Sequence, residues 1–454
     1  MVQERLMQKL KQRPIFWESE DNLEAEVIRE IQRTPYPLMT RQQADALLCA
    51  DYDPGTFWIS ERMGQTDFLF DEPQQSFFDW FRSAISGEIR QLRRIEHFRL
   101  RLEEYGEEAL IEDSWGILSF QDEQGRAFVE QIPNQEYSDT FRRIILFLLY
   151  EDPNYEINTY TEFNRLGKRL VPAVLEWGQY SLRERLIQSI SSGLIGMDIK
   201  DELAATSPLS RSKIIPLGGA ETDAEKQERV FLALDTAVRR SIFDVDSWDA
   251  FEKKVVHSHK ACSLCWFTDD YIPTMFEMKF MEELLCANHR VDISIIPRIQ
   301  SYSNDASWCD VEELLSLPVF SKLAEFQHSG RFRVCRSGMA GGTFHGRKLS
   351  QECADIVLSC DYVVIAGARS YEMGQGIKKP VFFTGIAVCR SYSETVTGIC
   401  RDDGGIVFLE QLPATKSFAG FRDRAFKRKY CPIHDRWFPV ASRTAIDYCT
   451  EMKE

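Results

Sequence analysis

Two aspartates in tandem, Asp269-Asp270, directly follow the apolar run Leu264 to Thr268. A second polar knot, Ser303-Asn304-Asp305-Ala306-Ser307-Trp308-Cys309-Asp310, follows the apolar run Val291 to Ile296. If the two runs are neighbouring strands of one sheet, carboxylates from both tips converge at its edge. Like charges held together are costly unless a cation neutralises them or one of them keeps its proton, and an all-oxygen donor set suits a hard ion such as magnesium or manganese. The spacing thus points to a divalent metal at Asp269, Asp270 and Asp305. The competing reading is that these acids cap helices and solvate loops, as Asp at strand-to-helix turns commonly does.

A softer donor set is also present. Cys262-x-x-Cys265 and Cys286-x-x-His289 are two close pairs separated by twenty residues, a spacing that resembles structural zinc sites. Against it, alternation along a strand separates Cys262 from Cys265, and free cysteines in α/β cores are ordinary small apolar residues. Zinc at Cys262, Cys265, Cys286 and His289 is the less favoured of the two metals.

The elements that must position these residues read as follows. From Ser263 onward short apolar runs alternate with amphipathic segments: Leu264 to Thr268, Pro273 to Leu285, Val291 to Ile296, Val311 to Leu317, Phe332 to Cys335, Ser350 to Leu358, Tyr362 to Ala366, Val381 to Phe383 and Ile406 to Leu409. Strand and helix in alternation are the signature of a doubly wound sheet, whose ligands bind beyond the carboxyl ends of the strands. The first half reads mostly helical, over Asp21 to Arg33, Gln74 to Tyr105, Ser138 to Tyr150 and Glu162 to Glu176, with Phe77, Phe78, Trp80, Phe81 and Ile85 at helical spacing. Strand-like stretches on either side of Glu123-Gln124-Gly125 suggest a β-hairpin within Ile117 to Ile132. Ala205 to Gly219 gathers Thr, Ser, Pro and Gly like a linker, and Thr222-x-x-Glu225 is a capping box opening a helix with Val230, Leu234 and Val238 on one face. The expected organisation is a mostly helical region over 1–219 and an α/β domain over 220–454, a three-layer doubly wound sheet.

These residues carry a resemblance. Asp269-Asp270 at a strand tip, a helix with Glu277 and Glu283, then Asn304-Asp305-Ala306-Ser307 with Asp310, then the Gly-rich Ser337-Gly338-Met339-Ala340-Gly341-Gly342, then Asp361 opening Tyr362-Val363-Val364-Ile365, and finally Pro380-Val381-Phe382-Phe383 with Cys389, follow one another in an order similar to that of the damage-control phosphatase family. That family is also known as domain of unknown function 89, or as acidic-residue-methyltransferase-like metal-binding proteins. The resemblance spans Asp269 to Leu409. It implies a three-layer α/β domain and hydrolysis of phosphomonoesters on small metabolites with a bound divalent ion. Asp269, Asp270 and Asp305 are then ligands and catalytic residues, and Asn304, Arg369, Ser370 and Lys378 face the substrate.

The chain also departs from that pattern. The family's Asn beside the first Asp is Asp270 here, adding negative charge where an anionic substrate would approach. The phosphate-facing lysine positions hold Ala366 and Val388. Loss of one preorganised charge-stabilising donor costs roughly 10² to 10³ in rate, which favours a non-catalytic or repurposed relative as the alternative. Arg369, Lys378 and Lys379 are the cations that could reach back to an anion, unless they are solvated surface charges. A different metal-assisted reaction on a small molecule is a further alternative. Carboxyl methylation ranks last, since no Gly-x-Gly loop follows an early strand.

Composition narrows the setting. Lys and Arg number 55 against 70 Asp and Glu, a formal charge of −15 that is the wrong sign for binding nucleic acid. At 44% hydrophobic and 12% aromatic, 454 residues supply sizeable cores. No run approaches the roughly 18 apolar residues of a membrane span, and the first ten residues mix charge with apolar side chains. Twelve cysteines in so long a chain do not resemble a disulfide scaffold. The expectation is a cytoplasmic protein acting on a small phosphorylated molecule, with no nucleic-acid or membrane partner.

Overall fold

The structure is a computed structural model that describes residues 2–12, 22–34, 36–50, 52, 85–90, 92–93, 95–121, 125, 127–132, 137–155, 162–196, 215–216, 222–240, 243–300, 305–339, 344–367, 370–371, 374, 376–386, 406–411, 428–431 and 436–439. The chain forms two compact units, one of Met1–Pro37, Pro54–Phe57 and Leu69–Thr159, the other of Leu38–Asp53, Trp58–Phe68 and Tyr160–Glu454. Among the described residues no helix is long and apolar enough to cross a membrane.

The first unit is helical. Its helices include Val2–Lys11, Leu23–Gln32, Glu96–Tyr105, Glu107–Leu118 and Tyr137–Tyr150. They bury Leu6, Val27, Ile85, Phe98, Ile117 and Phe147 in one core. Phe77, Phe78, Trp80 and Phe81 lie outside the described residues. Among the described residues of 117–132 the expected hairpin strands do not form. The helix from Glu107 runs through Ile117 to Leu118, a single Gln121–Ala127 bridge closes the turn, and Phe128–Gln131 is helical again. Gly125 does take the positive φ of 74° that its turn requires. The run from Trp115 to Phe120, broken only by Ser119, is short and mostly apolar, a pattern that fits a buried helix end as well as a strand, and packing decides for the helix.

The second unit carries α1 (Arg41–Leu47), α2 (Glu162–Glu176), α3 (Leu182–Ser191), α4 (Asp223–Arg240), β1 (Phe243–Asp246), β2 (Cys262–Phe267), α5 (Tyr271–Ala287), β3 (Val291–Ile296), α6 (Trp308–Leu315), α7 (Ser321–His328), β4 (Phe332–Val334), α8 (Gln351–Ser359), β5 (Tyr362–Ala366), β6 (Val381–Ile386) and β7 (Ile406–Gln411). The helices α2 and α3 precede the linker-like stretch at 205–219 yet belong with the sheet. Leu170, Val174, Leu186 and Ile190 share a core with α5, because each helix has an apolar face that only the sheet layer can cover. The Thr222–Glu225 capping box forms at the start of α4.

The seven strands lie in the order β1-β7-β6-β5-β2-β3-β4. From β6 across to β4 all pairs are parallel, whereas β7 runs antiparallel to β6 and pairs in parallel with β1. Leu264, Trp266, Ile293, Ile295, Val364 and Phe382 face the core shared with α2 to α7. On the opposite face α8 buries Cys353, Ala354 and Val357, and Phe344 packs edge-on against Phe267 at 4.7 Å. Helices thus cover both faces, and the strands read as nearly continuous apolar runs for that reason. From β2 the chain moves outward to β3 and β4, then crosses back to place β5 on the other side of β2. The strand order reverses at β2, which makes its carboxyl end the topological switch point where α/β sheets bind ligands.

Candidate metal centre

The carboxylates sit at that switch point. β2 ends at Phe267, Asp269 and Asp270 follow, and Asp270 becomes the residue preceding α5. Its carbonyl accepts from the backbone N–H of Thr274 at 3.0 Å and from the Thr274 hydroxyl at 2.8 Å, but its carboxylate makes no capping bond to α5. The capping role expected of such an Asp is therefore not what holds it there. The loop after β3 folds back onto the β2 tip: Asp305 forms an antiparallel bridge with Asp270, and the Ala306 N–H donates to the Asp269 carbonyl at 2.9 Å. Asp269, Asp270 and Asp305 each bring a carboxylate oxygen within 4.8 Å of the others. The third wall comes from β5. Gly367 has φ +94°, its N–H donates to the Thr384 carbonyl at 2.9 Å, and a Cβ built on it would stand 2.5 Å from Asp269 Cγ. Only glycine lets the β5 tip approach the Asp269 carboxylate this closely.

Electrostatically the cluster is under load. Asp305 is buried, and its Oδ2 accepts no hydrogen bond. Burial pushes its carboxyl well up, Asp270 and Asp269 push the same way, and the Arg298 guanidinium opposes them from 3.9 Å. Behind the cluster, on α5, burial drives Glu277 up to about 8; the Trp266 indole opposes that rise, and Asp269 and Asp270 add to it. A buried carboxylate oxygen without a donor is costly unless a proton or a cation meets it. Three oxygen donors gathered this closely, one of them buried with no hydrogen-bond donor and only the Arg298 ion pair at 3.9 Å, could hold a hard divalent ion.

The remaining sequence candidates are distributed differently. Asp310 is a capping residue: with Ser307 it forms a reciprocal box at the start of α6, its Oδ2 accepting from the Ser307 N–H at 2.7 Å. Glu283 pairs with Arg185 of α3 at 2.8 Å. Ser370 is buried, and its hydroxyl accepts from the Phe344 N–H at 3.4 Å. Lys378 donates to the Asp45 carbonyl at 2.8 Å, beside α1, and Lys379 to the Cys360 carbonyl at 2.7 Å, at the end of α8. Ala366 is buried as the last residue of β5. Asn304, Arg369, Gly341, Gly342, Val388 and Cys389 lie outside the described residues.

The cysteine set does not assemble. Cys262 and Cys265 are buried while Cys286 and His289 are exposed, and among the described residues the aspartate trio alone gathers three potential ligands within reach of one ion. Burial pushes the Cys262 thiol up to about 12, the state of an inert core thiol. One residue at the site, Arg298, escaped the sequence reading. Arg298 follows Pro297 directly beyond the apolar run of β3, and a cation in that place was the available signal. Gly367 was legible as a glycine after a strand, but not as the contact of Asp269.

No protein-family profile matches the sequence, and no curated protein matches it. Among solved structures, that of a domain-of-unknown-function-89 family protein from Pyrococcus horikoshii is similar to this chain with a TM-score of 0.48 and 12% sequence identity, over 72% of this chain and 97% of that one.

Proposed function

We propose that the chain is a divergent metal-dependent phosphatase-like protein that acts on a small phosphorylated metabolite, with magnesium or manganese held by Asp269, Asp270 and Asp305. One observation carries the reading: three carboxylates from two strand tips meet at the switch point of the sheet, and Asp305 Oδ2 is buried without a hydrogen-bond donor. The sequence resemblance over Asp269 to Leu409 supports phosphomonoesters as the substrate class. The many buried free thiols suit a reducing, cytoplasmic setting.

A divalent ion in such a site supplies Lewis-acid polarisation of a phosphoryl oxygen and orients the ester for in-line displacement. The protein's own residues prepare the place. Asp269 is fixed between the 305–306 loop and Gly367, and Asp305 is held by its bridge to Asp270. Arg298 offsets part of the carboxylate charge. Asn304, Arg369 and Ser370 remain the residues proposed to meet the substrate.

A second reading, a metal-binding relative without hydrolytic activity, is favoured by one specific observation. Lys378 and Lys379, which the sequence offered as replacements for the missing lysines, donate to the carbonyls of Asp45 and Cys360. A screen of small phosphomonoesters with manganese or magnesium separates the two. The enzymatic reading predicts phosphate release that chelation abolishes. It also predicts that Asp305→Asn lowers release by more than the roughly 10- to 100-fold typical of losing an outer-shell partner of a metal. Release unaltered in Asp305→Asn contradicts the assignment, and metal bound without any release establishes the second reading.

A further inference from the structure

Arg298 is fully buried, at 0% exposure, so it does not meet a substrate from solvent. Its backbone is locked into the loop that carries Asp305: its N–H donates to the Ala306 carbonyl at 3.1 Å, and its carbonyl accepts from the Trp308 N–H at 2.6 Å. Its side chain turns to the cluster, with Nε 3.9 Å from Asp305 Oδ2. A guanidinium keeps its charge at any working pH. Among the described residues, the charged groups that act on the cluster include Asp269 and Asp270 from the β2 tip, Asp305 and Arg298 from the loop after β3, and Glu277 from α5. Arg298 is thus a fixed positive charge that any cation held by the three aspartates must meet.

On the reading of Asp269, Asp270 and Asp305 as metal ligands, we propose that Arg298 sets the charge selectivity of the site, disfavouring a trivalent cation relative to a divalent one of similar size. A fixed positive charge repels a trication more than a dication by one further unit of Coulomb interaction. At the effective dielectric of a partly buried site that unit is worth roughly tenfold or more in relative affinity. Arg298 acts through the field at the ligands and is a positioning and selectivity residue.

The test is competition between terbium(III), followed by its sensitised luminescence, and manganese(II) on the full chain. Replacing Arg298 by Met removes the charge and keeps an unbranched apolar stem; Arg298→Gln is a second neutral variant should Met not fold, and Arg298→Lys keeps the charge. The proposal predicts that the affinity ratio of terbium to manganese rises roughly tenfold or more in the neutral variants and stays at the wild-type value in Arg298→Lys. An unchanged ratio in a neutral variant that still binds both ions overturns the role of Arg298 and leaves the metal site standing. Wild-type protein that binds neither ion, or that binds both equally well after Asp305→Asn, overturns the metal reading itself and this inference with it.

Discussion

At the scale of single residues, the site depends on one atom that is not there. Gly367 has no Cβ, and the place where one would stand is 2.5 Å from Asp269 Cγ at a backbone φ of +94°. Substituting Gly367→Ala therefore strains the backbone and collides with the Asp269 carboxylate together. The expected outcome is a loss of about 1 to 3 kcal/mol in stability together with weakened manganese binding, read by thermal melting and by metal titration. Unchanged metal affinity in the variant would show that Asp269 is not aimed by this contact. The gathering of the three acids was legible residue by residue, because acids at strand tips announce themselves by type and position. The reasons the site holds together were not, since Gly367 and Arg298 act through contacts that span the sheet and leave only a glycine and an arginine in the sequence.

At the scale of elements, α5 is the piece that ties the cluster to the core. It buries Tyr271, Met275, Phe276, Met278, Phe280 and Leu284, and among them Glu277. A carboxyl whose native value is about 8 stays neutral across most of the range, whereas in the unfolded chain it ionises near its ordinary value of about 4.3. Between those two values the native state holds the extra proton, so its contribution to stability is complete at low pH and is lost as pH rises through about 8. Melting of chelator-treated protein should fall with pH across that window, and Glu277→Gln should flatten the decline. Equal slopes in the two proteins would mean that Glu277 titrates normally. The elements of this half were well legible: β3 and β5 are where the alternation put them, and α5 extends only a few residues beyond its expected ends. The failure at 117–132 came from a mostly apolar run too short to show a period.

At the scale of the whole molecule, the α/β class with a mostly helical N-terminal region followed from the pattern of runs, whose alternation a doubly wound sheet imposes from Phe243 to Gln411. The division into units did not follow. Leu38–Asp53 belongs with the sheet although the chain before it does not, and what holds it there includes side-chain bonds from Gln43 to Asp355 and from the Gly346 N–H to the Tyr52 hydroxyl, and backbone hydrogen bonding to distant residues. Met39 donates to the Leu349 carbonyl at 2.8 Å, Cys49 to that of Gly376 at 2.8 Å, and Lys378 to that of Leu47 at 2.7 Å. Backbone bonds carry no side-chain signature, and the partners of Gln43 and Tyr52 lie 312 and 294 positions away in the chain. The account as a whole stands on the three carboxylates acting as one cation site, and the anomalous diffraction of crystals soaked in manganese measures that directly. A single peak bonded to Asp269, Asp270 and Asp305 is the predicted result. A peak elsewhere, or none at the carboxylates while the protein stays folded, contradicts it.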